Sequence, residues 1–183
     1  MIKKISSWLL RLQSWSVKIT AEEPPQSIIC IAPHTSNWDF YFGTLAYWSV
    51  GRKTSFLMKK GWFFFPLCYV FSAIGGIPVD RSKKNSLTER LTGKFIRQKI
   101  VHLTIAPEGT RRRVERWHTG FYHIAYNAGI PIQLAYIDYA KKEVGILGVF
   151  RPTGNEQKDI AEIQSHYRNI VAKYPDKFVV SNQ

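Results

Sequence analysis

Cysteine is scarce in this 183-residue chain: Cys30 and Cys68 are the only two, and each stands in an apolar run. Two cysteines make neither a disulfide framework nor a zinc-ligand spacing, so buried free thiols in a reducing compartment are expected. Long apolar runs are missing as well; none reaches the roughly 20 residues needed to cross a bilayer. The start Met-Ile-Lys-Lys is basic like that of a secretory leader. Arg11 interrupts the apolar stretch early and no small-residue cleavage site follows, so secretion is not expected. Acidic residues are outnumbered, 13 Asp and Glu against 26 Lys and Arg, for a net charge of +13. Such a surface attracts anions: phospholipid headgroups, nucleic acid or phosphorylated substrates. Aromatic residues, by contrast, are plentiful at 14%, with six Trp. They gather in apolar runs instead of interleaving with Lys and Arg, and no nucleic-acid-binding motif is present, which argues against a nucleic-acid partner.

The apolar spacing reads as one α/β domain. Residues 1–19 place Met1, Ile5, Trp8, Leu12, Trp15 and Ile19 on one helical face, with Lys3, Lys4, Arg11 and Lys18 largely off it. A basic helix with Trp on its apolar side is the pattern of a helix lying in a membrane interface, although docking onto the protein's own core explains the stripe equally well. Four cations near an anionic surface contribute about 4 kcal/mol, at about 1 kcal/mol each. Residues 20–27 form a polar, Pro-containing linker, and residues 28–183 form the rest of the domain. Strands are expected at 28–32, 54–58, 77–79, 101–106, 131–137 and 144–150, and helices at 39–50, 86–99, 121–128 and 156–173, with Gly129 capping the third of these. The alternation argues for a largely parallel central sheet flanked by helices. The aromatic segment 61–74 is too short to span a bilayer and is interrupted by Pro66. Plain core packing is expected for most of its residues, with a surface dipping into lipid as the other reading.

Chemistry-bearing residues cluster at the ends of these strands, where α/β sheets bind ligands. After the first apolar strand comes Pro33-His34-Thr35-Ser36-Asn37-Trp38-Asp39. An Asp in the first turn of the next helix can reach back to the imidazole and hold one tautomer, leaving the other nitrogen to accept a proton. Ser36-x-x-Asp39 is also a capping box, and the helix dipole favours Asp there, so both readings stand. Gly75 to Arg81 combines two glycines with an Arg able to hold phosphate through two hydrogen bonds, or forms a turn with a surface Asp80-Arg81 pair. Pro107-Glu108-Gly109-Thr110-Arg111, followed by Arg112, Arg113 and Arg116, is either a local anion site or a solvated basic loop. Gly129-Ile130-Pro131-Ile132 marks a helix end leading into a buried strand. His118 and His123 are not spaced as ligands on one helical face, so no metal site is expected.

Each block is weak alone, but the four in order resemble the glycerophospholipid acyltransferase family, which includes the 1-acylglycerol-3-phosphate acyltransferases. That family carries N-H-x-x-x-x-D, G-x-x-(F/I/P)-(I/V)-(D/R)-R, E-G-T-R and a V-P-(I/V)-x-P-like strand. The matches are His34 with Asp39, Gly75 through Arg81, Glu108 through Arg111, and Ile130 through Ala135, spanning residues 28–137. The resemblance implies the glycerolipid acyltransferase fold and an enzyme with His34 as general base, oriented by Asp39. Arg81 and Arg111 would hold the acceptor's phosphate, with Glu108, Gly109 and Thr110 completing the acceptor site. The co-substrate would be acyl-CoA or acyl carrier protein, with no other cofactor, and the acceptor 1-acylglycerol-3-phosphate, giving phosphatidic acid.

The departures bear on the acceptor. Pro33 replaces Asn, Gln133 and Ala135 differ from common choices, and the Lys expected before a Gly is absent from Trp117-His118-Thr119-Gly120. Another lysolipid, such as a lyso-aminolipid, therefore stands as an alternative acceptor. The enzyme would lie peripherally on the cytoplasmic face of the membrane. A non-catalytic protein binding anionic lipid shares the basic surface but leaves the His/Asp and Glu-Gly-Thr-Arg blocks unexplained.

Overall fold

The computed structural model describes residues 1–19, 23–79 and 84–179. In chain order the elements are α1 (Ile2–Leu12), β1 (Ser16–Lys18), β2 (Ser27–Ile31), α2 (Asn37–Ser49), β3 (Ser55–Lys59), a 3-10 turn (Lys60–Trp62), α3 (Leu67–Ala73) and β4 (Gly76–Val79). They continue as α4 (Lys84–Ile96), β5 (His102–Ile105), α5 (Gly120–Ala128), β6 (Ile132–Asp138), β7 (Glu143–Phe150), α6 (Glu156–Ser165) and a final 3-10 turn (Pro175–Lys177). The strands form one seven-stranded sheet in the order β1-β7-β6-β2-β5-β3-β4. All pairings are parallel except the β6–β7 hairpin, as the alternation of strand and helix implies.

The sheet is covered on both sides because its inner strands are apolar on both. Along β2, Ile28 and Cys30 join a cluster with Phe95, Phe121, Ile163 and Tyr167, whereas Ile29 packs with Tyr47 and Ala135. That is the two-residue period of a strand buried on both faces. Parallel crossovers are right-handed, so α2 and α3, which lead toward the β4 edge, lie on one face. The connections through α4 and α5 lead back the other way and lie on the opposite face. The chain therefore reverses direction at β2 and β5, whose C-terminal ends are adjacent. A crevice opens at such a switch point.

Three expectations are corrected. Residues 1–19 are not one helix. α1 ends at Leu12, Ser14 takes a left-handed φ of 60°, and residues 16–18 become an edge strand parallel to β7. The reason is Trp15, which turns inward to stack on Phe42 with ring centroids 3.9 Å apart. The last helix stops at Ser165 instead of 173. Tyr167 is drawn into the core, where its hydroxyl donates to the Cys30 carbonyl at 2.9 Å, and Tyr139 N–H bonds the Val171 carbonyl. The aromatic segment does not pack into the core either. No residue of the Lys60–Trp62 turn or of α3 is buried; the segment joins β3 to the edge strand β4. Cys30 is buried and free as expected, while Cys68 is only half-buried.

α1 docks on α2 through a face different from its apolar stripe. Ser6 and Leu10 are buried, and Gln13 Nε2 donates to Tyr41 Oη at 3.0 Å. Ile5, Trp8 and Leu12, on the far side of the helix, are exposed by 49%, 61% and 67%, and Ile2 in the first turn by 61%. No helix among the described residues is long and apolar enough to cross a membrane.

Candidate active site

His34 and Glu108 follow β2 and β5, the adjacent strands at the switch point. The tie between the two loops is direct: His34 N–H donates to Glu108 Oε1 at 2.9 Å. The His34 ring lies with Nδ1 3.2 Å from Asp39 Oδ2, its side chain 24% exposed against 2% for Asp39. A partly open imidazole backed by a buried carboxylate keeps its proton on Nδ1 and presents Nε2 outward as an acceptor.

Asp39 owes its position to the first turn of α2. Its Oδ2 accepts from Thr35 N–H at 2.8 Å and Ser36 N–H at 2.7 Å, while Ser36 Oγ accepts from Trp38 N–H. The capping box expected from Ser36-x-x-Asp39 is thus present, and the same carboxylate also faces His34. Capping and orientation are one arrangement, because holding the loop by its N–H groups fixes the carboxylate against the ring. The remaining oxygen, Oδ1, accepts from the Tyr139 hydroxyl at 2.7 Å. The Tyr139 hydroxyl is pushed well above its ordinary pKa by burial and by this bond, so it stays a donor.

Glu108 is 3% exposed. Burial raises its carboxyl above the ordinary value, an effect moderated by the bond from His34 N–H. Its Oε2 is buried with no hydrogen-bond partner among the described residues, which leaves one acceptor near the loop of residues 33–36 for a donor from elsewhere. Gly109 sits at φ +64° with His118 against it, where an added Cβ would meet Cδ2 of that ring at 2.7 Å. Only glycine lets the chain turn there while the imidazole closes over it. Thr110 Oγ1 accepts from Arg112 N–H at 3.3 Å, and Arg111, Arg112 and Arg113 are exposed. Of the residues expected in the site, His34, Glu108, Gly109, Thr110 and Arg111 therefore lie on the two adjoining loops, with Asp39 in the first turn of α2. Arg81 lies outside the described residues.

Contributions from the far C-terminal part were not legible in the motifs. Tyr139 follows β6, and Lys173 Nζ lies 5.0 Å from the Trp38 ring centroid and 5.8 Å from that of Tyr139. Tyr174 N–H bonds Thr35 Oγ1 at 3.3 Å. The only sequence signal is Tyr139 directly after a buried apolar strand, a weak one. Folding brings these residues about 100 and more positions along the chain to the loop of residues 33–39.

The family model described as Acyltransferase matches residues 16–137, stopping short of Tyr139. Among solved structures, the chain resembles the crystal structure of the 1-acyl-sn-glycerophosphate (LPA) acyltransferase PlsC from Thermotoga maritima. The TM-score is 0.62 at 16% sequence identity, covering 90% of this chain and 74% of that one. At that identity the likeness is one of fold. No curated protein sequence matches the chain with significance.

Proposed function

Since the chain belongs to the acyltransferase family, we propose that it transfers a fatty acyl group from a thioester to the free hydroxyl of a lysophospholipid. The observation that carries this is His34 held at 3.2 Å by Asp39 at the open end of β2, with Asp39 itself fixed by Thr35, Ser36 and Tyr139. Nε2 of His34 takes the proton of the acceptor hydroxyl as its oxygen attacks the thioester carbonyl. Collapse of the tetrahedral adduct breaks the carbon–sulfur bond, and the imidazolium returns the proton to the leaving thiolate. General-base assistance of this kind contributes about 10² to 10⁴ in rate, or about 3 to 5 kcal/mol. No side-chain nucleophile is required, because the acceptor supplies its own oxygen.

The leading acceptor is 1-acylglycerol-3-phosphate, giving phosphatidic acid. Arg111, with Arg81, would hold the phosphate through paired hydrogen bonds, and Glu108 Oε2 would accept from the glycerol part. The donor is acyl-CoA or acyl carrier protein. The PlsC named above is described as an LPA acyltransferase, which supports this choice, while Pro33, Gln133 and Ala135 keep a lyso-aminolipid as the second reading. The enzyme would work on the cytoplasmic membrane face, with the exposed stripe of α1 and the +13 charge as support.

The test is incubation of the purified protein with acyl-CoA, then acyl carrier protein, and a panel of lysolipids, with products identified by mass spectrometry. Acylated lysophosphatidic acid from wild type and none from His34→Ala, with unchanged circular dichroism, is the expected result. Product from a different lysolipid moves the acceptor and keeps the mechanism. Normal turnover by His34→Ala ends it, and no product from any pair points to a non-catalytic lipid-binding role.

A further inference from the structure

The segment after β3 leaves the sheet at the catalytic edge and is apolar where it should be wet. β3 runs parallel to β2 through β5, so Lys59 and the turn Lys60–Trp62 emerge from the edge that carries His34. From there the chain exposes Trp62 by 55%, Phe64 by 54% and Phe65 by 79%, and α3 adds Tyr69 at 70% and Val70 at 55%. Phe63 and Phe71 turn partly inward, with ring centroids 6.0 Å apart, as do Leu67, Cys68 and Ile74. Scattered exposed apolar residues are ordinary, but a contiguous patch of aromatics marks a surface that something covers.

We infer that this β3–α3 hairpin is a second membrane-contact element that inserts into the headgroup–acyl boundary of an anionic bilayer beside the catalytic crevice. Three observations choose a bilayer over a protein partner. Lys59 and Lys60 are exposed directly beside the aromatics, and Trp, Tyr and Lys together are the composition of residues anchored at a lipid interface. The chain carries a net charge of +13, complementary to anionic lipid and repulsive toward a second copy of itself. Crossover handedness puts α2 and α3 on one face of the sheet, and α1 packs on α2. The exposed stripe of α1 and the hairpin thus flank one side of the molecule. Two separated contacts fix an orientation that a single helix leaves free to roll. In that orientation the His34 edge meets the lipid–water boundary, and a lysolipid can reach Nε2 without its acyl chain crossing water. The inference rests on the proposed lysolipid acceptor for its purpose, although the contact itself does not.

The test uses the full chain, a Trp62→Ser/Phe64→Ser/Phe65→Ser variant and an Ile5→Ser/Trp8→Ser/Leu12→Ser variant. All six positions are exposed, and thermal unfolding checks that each variant keeps its fold. Co-sedimentation with phosphatidylglycerol–phosphatidylcholine vesicles should show each variant binding at least about tenfold more weakly than wild type, given the aromatic surface removed. The hairpin variant should keep wild-type turnover of a short-chain, monomeric lysophosphatidic acid with acyl-CoA, and lose turnover of long-chain lysophosphatidic acid held in the vesicles. Unchanged vesicle binding by the hairpin variant overturns the inference. So does a wild-type dimer in sedimentation velocity that the hairpin variant dissolves while binding vesicles normally, which would make the patch a contact between copies. Equal wild-type binding to pure phosphatidylcholine vesicles overturns the anionic commitment. If wild type shows no turnover of the short-chain substrate, the acceptor reading fails, and vesicle binding still judges the hairpin.

Discussion

At the scale of single residues the decisive group is the Asp39 carboxylate. Its two oxygens receive four groups: two backbone N–H donors, the His34 ring and the Tyr139 hydroxyl. A hydrogen bond to a charged acceptor contributes about 1.5–3 kcal/mol, so the Tyr139 bond both restrains Asp39 and tempers its charge. Tyr139→Phe keeps the ring, which packs edge-on to Trp15 at 5.1 Å, and deletes only the donor. We expect kcat/KM to fall about tenfold, the order of one such bond. The loss should fall on kcat with KM for both substrates unchanged, because the missing donor restrains Asp39 and touches neither substrate. A plain packing defect would instead lower the thermal unfolding midpoint. Tyr139 is thus a positioning residue. The four motifs could not show it, because its partner stands 100 positions earlier in the chain.

Elements show where periodicity speaks and where it misleads. The apolar spacing of residues 1–12 did indicate a helix, and the stripe at Ile5, Trp8 and Leu12 is real. Periodicity does not say what a stripe faces, and here the buried side is the narrow one at Ser6 and Leu10. Leu10 is 2% exposed and Leu12 67%. Leu10→Ala should therefore cost about 2–4 kcal/mol in urea unfolding, whereas Leu12→Ala should change stability by no more than about 0.5 kcal/mol. Equal losses would mean that the stripe packs inward in solution. The same ambiguity explains residues 61–74, where an apolar aromatic run reads as core although the topology sets it outside the sheet.

Across the whole molecule, the sheet edge opposite the crevice carries a buried polar cluster. Gln133 Nε2 donates to Ser27 Oγ at 2.6 Å, Ser27 Oγ lies 2.9 Å from His102 Nδ1, and His102 Nε2 lies 3.4 Å from Glu23 Oε1. Glu23 is in turn 3.4 Å from Arg52 Nε. Burial lowers the His102 pKa from its ordinary 6.5, with Glu23 opposing and Arg52 reinforcing the shift. The unfolded chain therefore binds a proton at His102 before the folded one does. The resulting stability is full above pH 6.5 and is lost as pH falls below it. Urea midpoints at successive pH values should decline through that window for wild type, and less steeply for His102→Gln. Parallel declines would assign the acid sensitivity to other groups. Glu108, raised by burial, acts with the opposite sign, which is why the difference between the two proteins is the quantity to read.

Local physics was enough for much of this molecule. Strand and helix periods, capping chemistry and strand-end motifs are properties of neighbouring residues, so the alternation of elements and the pair of His34 with Asp39 could be read directly from the chain. Glu108 through Arg111 could likewise be read as a loop at a strand end. What lay beyond that reading depends on distant parts of the chain meeting. Trp15 against Phe42 ends α1 early, Tyr167 against the Cys30 carbonyl ends α6 early, and Tyr139 closes the shell around Asp39. Which apolar faces stay open was decided in the same way, because burial is a property of the packed sheet and its crossovers. A stripe of Leu and Trp has the same sequence whether it faces a core or a membrane.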